Sequence, residues 1–120
     1  MPTAKDVKIF VPSQDFSLSL AYYQALGWKL NWQVSGLAEL ELSGTRFFLQ
    51  NYYQKDWAEN FMFYIVVENA QEWYNHIAQV IAENKDFSNT RVNPPKEEGH
   101  AIVTYAWDPC GVLLHFAEDK

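Results

Sequence analysis

Few side chains in this chain of 120 residues have both the type and the setting that chemistry requires. The most prominent is His115, which lies in the apolar run Leu113–Phe116. Alternate side chains of a strand point to opposite faces, so His115 would share its face with Leu113 and not with Leu114. Two interpretations stay open. The ring is either satisfied by a hydrogen bond at a sheet surface, or it is a hydrogen-bonding or switchable group in a ligand pocket.

The carboxylates and the single thiol do not complete a catalytic set. Glu39 and Glu41 could act as general bases, although a single solvated carboxylate is the commoner state. Cys110 is the only cysteine, so by itself it can form neither an internal disulfide nor a thiolate metal site, and we interpret it as tolerated in a turn. No nucleophile is accompanied by a base and a residue that orients the base. We therefore expect no catalytic residue and favour binding over catalysis.

Aromatic residues make up 17% of the chain, and several are candidates for ligand contact. Most large rings in proteins are core residues, and we expect this of Trp28 and Trp73. Other rings could line a cleft for a flat, cationic or amphipathic ligand, or be buried in a dimer interface. These rings are Trp32, Tyr52, Tyr53, Trp57, Tyr64, Tyr105 and Trp107.

The composition indicates one domain with a real core and an acidic surface. Hydrophobic residues make up 48% of the chain, and nine basic against fifteen acidic residues give a net charge of −6. This charge disfavours a nucleic-acid partner, whose affinity comes largely from phosphate neutralisation. It either keeps a small protein in solution or favours cationic ligands. We see no signal peptide and no apolar run long enough to span a bilayer, so we expect no membrane partner and a cytoplasmic location.

The elements that must position these residues begin with a strand and a helix. Val7, Ile9 and Val11 alternate with other residues, which predicts a half-buried strand. Asp15 is a good N-cap, and Gly27 stands where a helix would end. The stripe predicted to face the core is Phe16, Leu20 and Tyr23. A second strand, with Leu30, Trp32 and Val34 on one face, follows.

Two hairpins are predicted from their turn residues. Ser43-Gly44 would join Leu37–Leu42 to Arg46–Gln50, with Leu42 opposite Thr45 and Glu39 opposite Phe48. One face would then be apolar, with Ala38, Leu40, Leu42, Phe47 and Leu49, and the other would carry Glu39, Glu41, Arg46, Phe48 and Gln50. Near the carboxyl end, Asp108–Gly111 would form a type I turn with a glycine bulge, placing Tyr105 opposite His115.

Between the hairpins the same order of elements restarts. Residues 51–60 are interpreted as a polar, aromatic connector, followed by a strand at Phe61–Val67. Asn69 would cap a helix over Ala70–Glu83, with a short strand at Thr90–Asn93 and a loop at Pro94–Gly99. The two halves share one pattern at a spacing of about 55 residues. The predicted fold class is α+β, with two βαβββ modules over residues 6–53 and 61–118, curved mixed sheets forming a concave cleft, and helices on the outer face.

Two stretches resemble the vicinal oxygen chelate superfamily, which includes glyoxalase I, bleomycin-resistance proteins and extradiol dioxygenases. One is Val11–Phe16 with Ala21–Tyr23 and Leu26–Trp28, and the other is Asp108–Gly111 with Val112–Phe116. The first is most similar to the bleomycin-resistance branch, through its proline-serine, short polar insert and aspartate before the helix. The resemblance implies paired βαβββ modules and a swapped dimer with clefts between chains.

The resemblance also implies four metal-ligand positions, which fall here near Asp6, Phe48, Met62 and His115. Phe and Met side chains cannot bind a hard divalent ion, and two ligands are fewer than the three that a metal site usually needs from the protein. His76 on a helix and His100 at a strand start do not complete the set. We expect no metal and no other cofactor.

The first functional hypothesis is a metal-free homodimer of bleomycin-resistance type that captures a cationic or aromatic small molecule in clefts between its subunits. The alternatives are a divergent metal-dependent lyase, transferase or dioxygenase, and an interaction module without a small ligand. The residues expected to contact a ligand are Trp32, Glu39, Glu41, Phe48, Tyr52, Trp57, Met62, Tyr64, Tyr105, Trp107 and His115.

Overall fold

Two units, each a strand and a helix followed by further strands, follow each other in the computed structural model, which describes residues 1–120. The first gives a four-stranded sheet, sheet A, in the order β1-β4-β3-β2. Its strands are β1 (Phe10–Pro12), β2 (Lys29–Val34), β3 (Leu37–Leu42) and β4 (Thr45–Gln50). The second gives sheet B, in the order β5-β9-β8-β6 with β7 also paired to β8. Its strands are β5 (Met62–Val67), β6 (Arg91–Val92), β7 (Lys96–Glu97), β8 (Ala101–Trp107) and β9 (Leu113–Asp119).

Three α-helices accompany the sheets: α1 (Phe16–Leu26), α2 (Lys55–Asn60) and α3 (Ala70–Glu83), with a 3-10 turn at Lys85–Phe87. The N-caps of α1 and α3 are those expected, because the Asp15 carboxylate accepts a hydrogen bond from the amide of Leu18 and the Asn69 side chain accepts one from Glu72. Helix α1 ends at Gly27, whose φ of 122° suits a residue without a Cβ. None of these helices combines the length and the apolar character that a membrane span requires.

Both hairpin registers are confirmed. Glu39 pairs with Phe48 across β3 and β4, and Tyr105 pairs with His115 across β8 and β9. The predicted apolar face of β3 and β4 is buried, apart from Leu42, which is half-buried. The turns fix these registers, since Gly111 has a φ of 88° and its amide donates to the carbonyl of Asp108 at 3.0 Å.

Several local predictions are wrong. Strand β1 begins only at Phe10, and Val7 is 79% exposed, because its pairing with β4 reaches no further back than the hydrogen bond from Phe48 to Ile9. The stripe predicted for α1 is right in part, because Tyr23 is buried and Phe16 and Leu20 pack half-buried against the core. The buried side of the helix is centred on Ser19, Tyr22, Tyr23 and Leu26, because α1 packs on both β4 and α3.

The segments interpreted as irregular also contain elements. Residues 51–60 include the short helix α2, and the loop Pro94–Gly99 includes the two-residue strand β7. Strand β2 is irregular between Leu30 and Trp32, where a bulge shifts its register against β3.

The helix-bearing sides of both sheets meet in one core. The ring of Phe47 in sheet A lies 5.0 Å from that of Phe63 in sheet B, and Trp28 lies 6.4 Å from Phe116. The opposite side of each sheet, here called its open face, points away from this core. The open faces carry large exposed side chains, among them Phe10, Trp32, Val34, Met62, Tyr64 and Val66.

A buried hydrogen bond joins the two halves within this core. The hydroxyl of Tyr23 on α1 donates to Oδ2 of Asp108 at 2.6 Å, while Oδ1 accepts from the amides of Cys110 and Val112 at 2.8 and 3.0 Å. Asp108 is 1% exposed. Desolvation outweighs these donors and raises the pKa of Asp108 to about 6. Burial and the adjacent carboxyl also raise the pKa of Tyr23.

The neighbouring residue provides a matched contrast for this hydrogen bond. Tyr22 and Tyr23 are both fully buried, but the hydroxyl of Tyr22 has no hydrogen-bond partner. We expect Tyr23→Phe to lower the free energy of unfolding by about 1.5–3 kcal/mol, because it leaves the Asp108 carboxyl without that donor. Tyr22→Phe removes an unpartnered hydroxyl, and we expect unchanged stability or a gain of up to about 1 kcal/mol. Urea denaturation measures the free energy of unfolding of both variants. Equal losses of stability would contradict a stabilising hydrogen bond from Tyr23 to Asp108.

The raised pKa of Asp108 predicts a pH-dependent contribution to stability. Its ordinary value is 3.8, so between pH 3.8 and about 6 the folded chain holds this proton more tightly than the unfolded chain. The contribution of this carboxyl to the free energy of unfolding must then fall as the pH rises through that window.

Subtracting the stability of an Asp108→Asn variant from that of the wild type at each pH isolates this contribution from the other carboxyls. We expect the difference to decrease by about 2 kcal/mol between pH 4 and pH 6.5. A difference that increased with pH would contradict this prediction. It would mean that the hydrogen-bond donors lower the pKa of Asp108 by more than burial raises it.

Candidate functional site

A row of four residues crosses the open face of sheet A. Strand pairing sets Phe10 beside Phe48, Phe48 beside Glu39, and Glu39 beside Trp32. The ring centroid of Phe48 lies 5.1 Å from that of Phe10 and 5.5 Å from that of Trp32. Glu39 is 5% exposed, so this face holds a buried carboxylate among aromatic rings.

Charged and amide groups surround this carboxylate. The Lys8 ammonium lies 2.6 Å from Oε1 of Glu39, and the Asn31 amide donates to Oε2 of Glu39 and to Oε1 of Glu41, each at 3.0 Å. Arg46 donates to Glu41 at 3.0 Å and to Asp6 at 3.2 Å. The hydrogen bonds from Lys8 and Asn31 lower the pKa of Glu39, and those from Asn31 and Arg46 lower that of Glu41. Both carboxylates are engaged anions, which favours recognition of charge over general-base catalysis.

A second row, on the open face of sheet B, consists of Tyr64, His115 and Tyr105 on neighbouring strands. Nδ1 of His115 lies 2.8 Å from the carbonyl oxygen of Phe63, and because a carbonyl only accepts, Nδ1 carries the proton. In the neutral ring this leaves a lone pair on Nε2, which has no partner in the chain. The His115 ring lies 4.9 Å from that of Tyr105 and 5.7 Å from that of Tyr64. One nitrogen of this histidine is therefore satisfied by a hydrogen bond, and its role in a ligand pocket stays a prediction.

Other polar and aromatic side chains lie next to this row on sheet B. The hydroxyl of Tyr105 donates to Glu98, and this hydrogen bond raises the pKa of Tyr105 to about 12. The guanidinium of Arg91 lies over the ring of Trp107, 3.7 Å from the ring centroid, in a cation–π contact. Met62 is exposed beside this end of the face.

The two predicted site residues in the connector lie apart from both rows. The rings of Tyr52 and Trp57 are 5.8 Å apart, and Trp57 is also 5.8 Å from Phe61. Helix α2, which carries Trp57, packs on β1. The structure thus distributes the predicted residues over two open faces and a connector, and the shared core separates the two faces.

The largest cavity, of about 380 Å³, does not coincide with these residues. It lies between the β3–β4 turn and the start of α3, lined by Leu42, Ser43, Thr45, Trp73 and residues 65–69 and 72. No predicted site residue lines it. An open sheet face encloses no volume until another surface covers it, so the predicted site is not a cavity of one chain.

The metal positions implied by the sequence resemblance do not form a ligand set. Asp6 pairs with Arg46, and Nδ1 of His115 is occupied by a carbonyl, while Phe48 and Met62 offer no donor suited to a hard cation. No three His, Cys, Asp or Glu side chains lie together in a way that could hold a metal ion. Burial raises the pKa of the Cys110 thiol to about 11, which leaves it a poor nucleophile or ligand.

Several residues of these faces were missed from the sequence. Lys8 and Glu98 come from segments beside the sheets, and Asn31 reaches the open face of sheet A within the irregular stretch of β2. The Arg46–Glu41 ion pair could have been found, because the predicted hairpin register sets these two residues opposite each other.

The sequence matches no protein-family model, and no curated protein matches it. Solved structures do resemble its fold. A bleomycin-binding protein complexed with bleomycin has a TM-score of 0.80 and 21% identity, covering 98% of this chain and 100% of that one. A bleomycin resistance determinant encoded on the transposon Tn5 has a TM-score of 0.81 and 19% identity, covering 98% and 99%.

A glyoxylase/bleomycin resistance protein/dioxygenase domain from Frankia sp. EAN1pec has a TM-score of 0.76 and 12% identity, covering 99% of this chain and 100% of that one. Identities this low show likeness of fold and not of activity. The chain has the fold of the vicinal oxygen chelate superfamily.

Proposed function

We propose that this chain is a small-molecule binding protein of bleomycin-resistance type, which captures a cationic or aromatic ligand without a metal. In this proposal two copies form a homodimer, and each cleft lies between the open face of sheet A in one chain and that of sheet B in the other.

The shared core is the observation that carries this proposal. Because the helix-bearing sides of both sheets pack against each other within one chain, they cannot cover the open faces, on which several large rings stay partly exposed. Trp32 is 40% exposed and Tyr64 is 50% exposed, a costly arrangement for rings that no other surface or ligand contacts. The fold likeness to proteins solved with bleomycin supports a cleft ligand of similar kind.

The two faces offer complementary chemistry. Sheet A presents anions among rings, at Glu39, Glu41, Phe48 and Trp32, which suits a positively charged group. Sheet B presents Tyr64, Tyr105 and His115, which suit stacking on a flat ring and one hydrogen bond to Nε2 of the histidine. A ligand with a cationic part and an aromatic part would contact both.

The mechanism is stoichiometric capture. Binding withholds the molecule from its target for as long as the complex lasts, so protection against an antibiotic would depend on affinity and on the amount of protein. The engaged carboxylates and the buried Cys110 thiol provide no activated nucleophile or base, and none is needed.

Metal-free bleomycin is the first ligand to test. We expect it to raise the melting temperature saturably, by the equivalent of about 2.7 kcal/mol at a concentration one hundred times Kd, because it binds only the folded state. Differential scanning fluorimetry measures the shift, with sucrose as an uncharged control. Metal analysis of the same sample should find less than one equivalent per chain.

A pair of tyrosine variants locates the site in the same experiment. Tyr64→Ala removes an exposed ring from the open face of sheet B, and we expect about a tenfold rise in Kd. Tyr74→Ala on α3 makes the same change away from both open faces and should leave Kd unchanged. Equal Kd values for both variants would place the ligand elsewhere, and stoichiometric metal essential for binding would contradict metal-free capture.

A further inference from the structure

The positive charge that pairs with Glu39 comes from Lys8, in the segment before the first strand. Lys8 belongs to residues 1–9, which form no strand or helix, and the last backbone hydrogen bond that holds this segment to sheet A runs from Phe48 to Ile9 at 2.9 Å. The Lys8 side chain is 32% exposed, whereas that of Glu39 is 7% exposed. The donor thus comes from a segment without regular structure, and the less exposed acceptor from strand β3.

The surroundings of Glu39 have the composition of a cation-binding site. Oε1 lies 2.6 Å from the Lys8 ammonium, Oε2 accepts from Asn31, and the ammonium lies 5.4 Å from the ring centroid of Phe48. The ring centroid of Trp32 lies 5.5 Å from that of Phe48. A carboxylate this buried is costly unless a positive charge compensates it, whichever molecule carries that charge. Carboxylate and aromatic ring together select an ammonium group.

We propose that Lys8 is an internal competitor, which occupies a cation subsite centred on Glu39 until a ligand carrying a primary or secondary ammonium displaces it. This inference rests on the proposed function in assigning a cationic ligand to the open face of sheet A.

Displacement breaks fewer contacts for Lys8 than it would for the neighbouring arginine. Lys8 regains side-chain freedom when it leaves, and its segment has no strand pairing to lose before Ile9. Arg46 lies within strand β4 and binds both Glu41 and Asp6, so it stays in place. Because a ligand can bind only while Lys8 is away, the apparent affinity is the intrinsic affinity multiplied by the fraction of time for which the subsite is free. Lys8 also disfavours neutral ligands, because they cannot replace the positive charge that balances the Glu39 carboxylate.

The test uses benzylammonium as the probe and benzyl alcohol as its neutral analogue, with binding followed by NMR titration. We expect Lys8→Met to bind benzylammonium about three- to tenfold more tightly than the wild type, because the competitor is gone and the apolar stem remains. Lys5→Met changes the same charge on the same segment, where Lys5 forms no ion pair, and should leave the affinity unchanged. Glu39→Gln should weaken benzylammonium binding at least about fivefold and leave benzyl alcohol unaffected.

A second readout follows the competitor itself. In 15N-labelled wild-type protein, the ammonium signal of Lys8 should shift or disappear as benzylammonium is added, since the group passes from the Glu39 pair into water. An unchanged or weaker affinity in Lys8→Met, or an unaltered Lys8 signal at saturation, would overturn the proposal.

The outcomes separate this inference from the proposed function. If bleomycin raises the melting temperature but benzylammonium binds no variant, the cation subsite is wrong and capture stands. If benzylammonium displaces Lys8 but bleomycin and related cations give no shift, the subsite is real and capture of bleomycin is wrong.

Discussion

The hydrogen bond between Tyr23 and Asp108 lies where the two halves of the chain join. It couples helix α1 of the first unit to the β8–β9 turn of the second, inside a core that both sheets share. The apolar side of each sheet enters this core, so the other side must face outward. The position of every candidate site residue on a sheet, from Glu39 to His115, follows from that choice of side, because strand neighbours alternate.

The sequence predicts the parts of this arrangement that depend on local chemistry. Turn residues at Ser43-Gly44 and Asp108–Gly111 determine both hairpin registers, and Asn69 correctly marks the start of α3. Helix α2 escaped prediction because its N-cap, Gln54, makes no side-chain hydrogen bond and its six residues carry no clear period. The Lys8–Glu39 pair also escaped, since it joins residues 31 positions apart and depends on a segment with no regular structure.

The two open faces differ in character, and this difference constrains the ligand more than either face does alone. On sheet A, carboxylates are paired with basic groups and with an amide, so a further charge placed there would need a partner of opposite sign. Sheet B carries the ring of His115 between two tyrosine rings, one tilted and one edge-on to it, with a single free imidazole nitrogen. A molecule with only one of these features would leave half of the proposed cleft unused, so an amphipathic, cationic ligand fits the pair of faces best.

The central claim is that each binding cleft takes one open face from each of two chains. Trp32→Ala alters only the sheet A face, and Tyr64→Ala alters only the sheet B face, so a pure dimer of either variant has both clefts damaged. When the two variants are co-refolded in equal amounts, half of the dimers are mixed and one of their two clefts is intact, so about one quarter of the wild-type capacity for bleomycin should return. The number of tight sites, measured by isothermal titration calorimetry, tests this directly. No recovery in the mixture would contradict the account, because it would mean that the site does not combine faces from two chains.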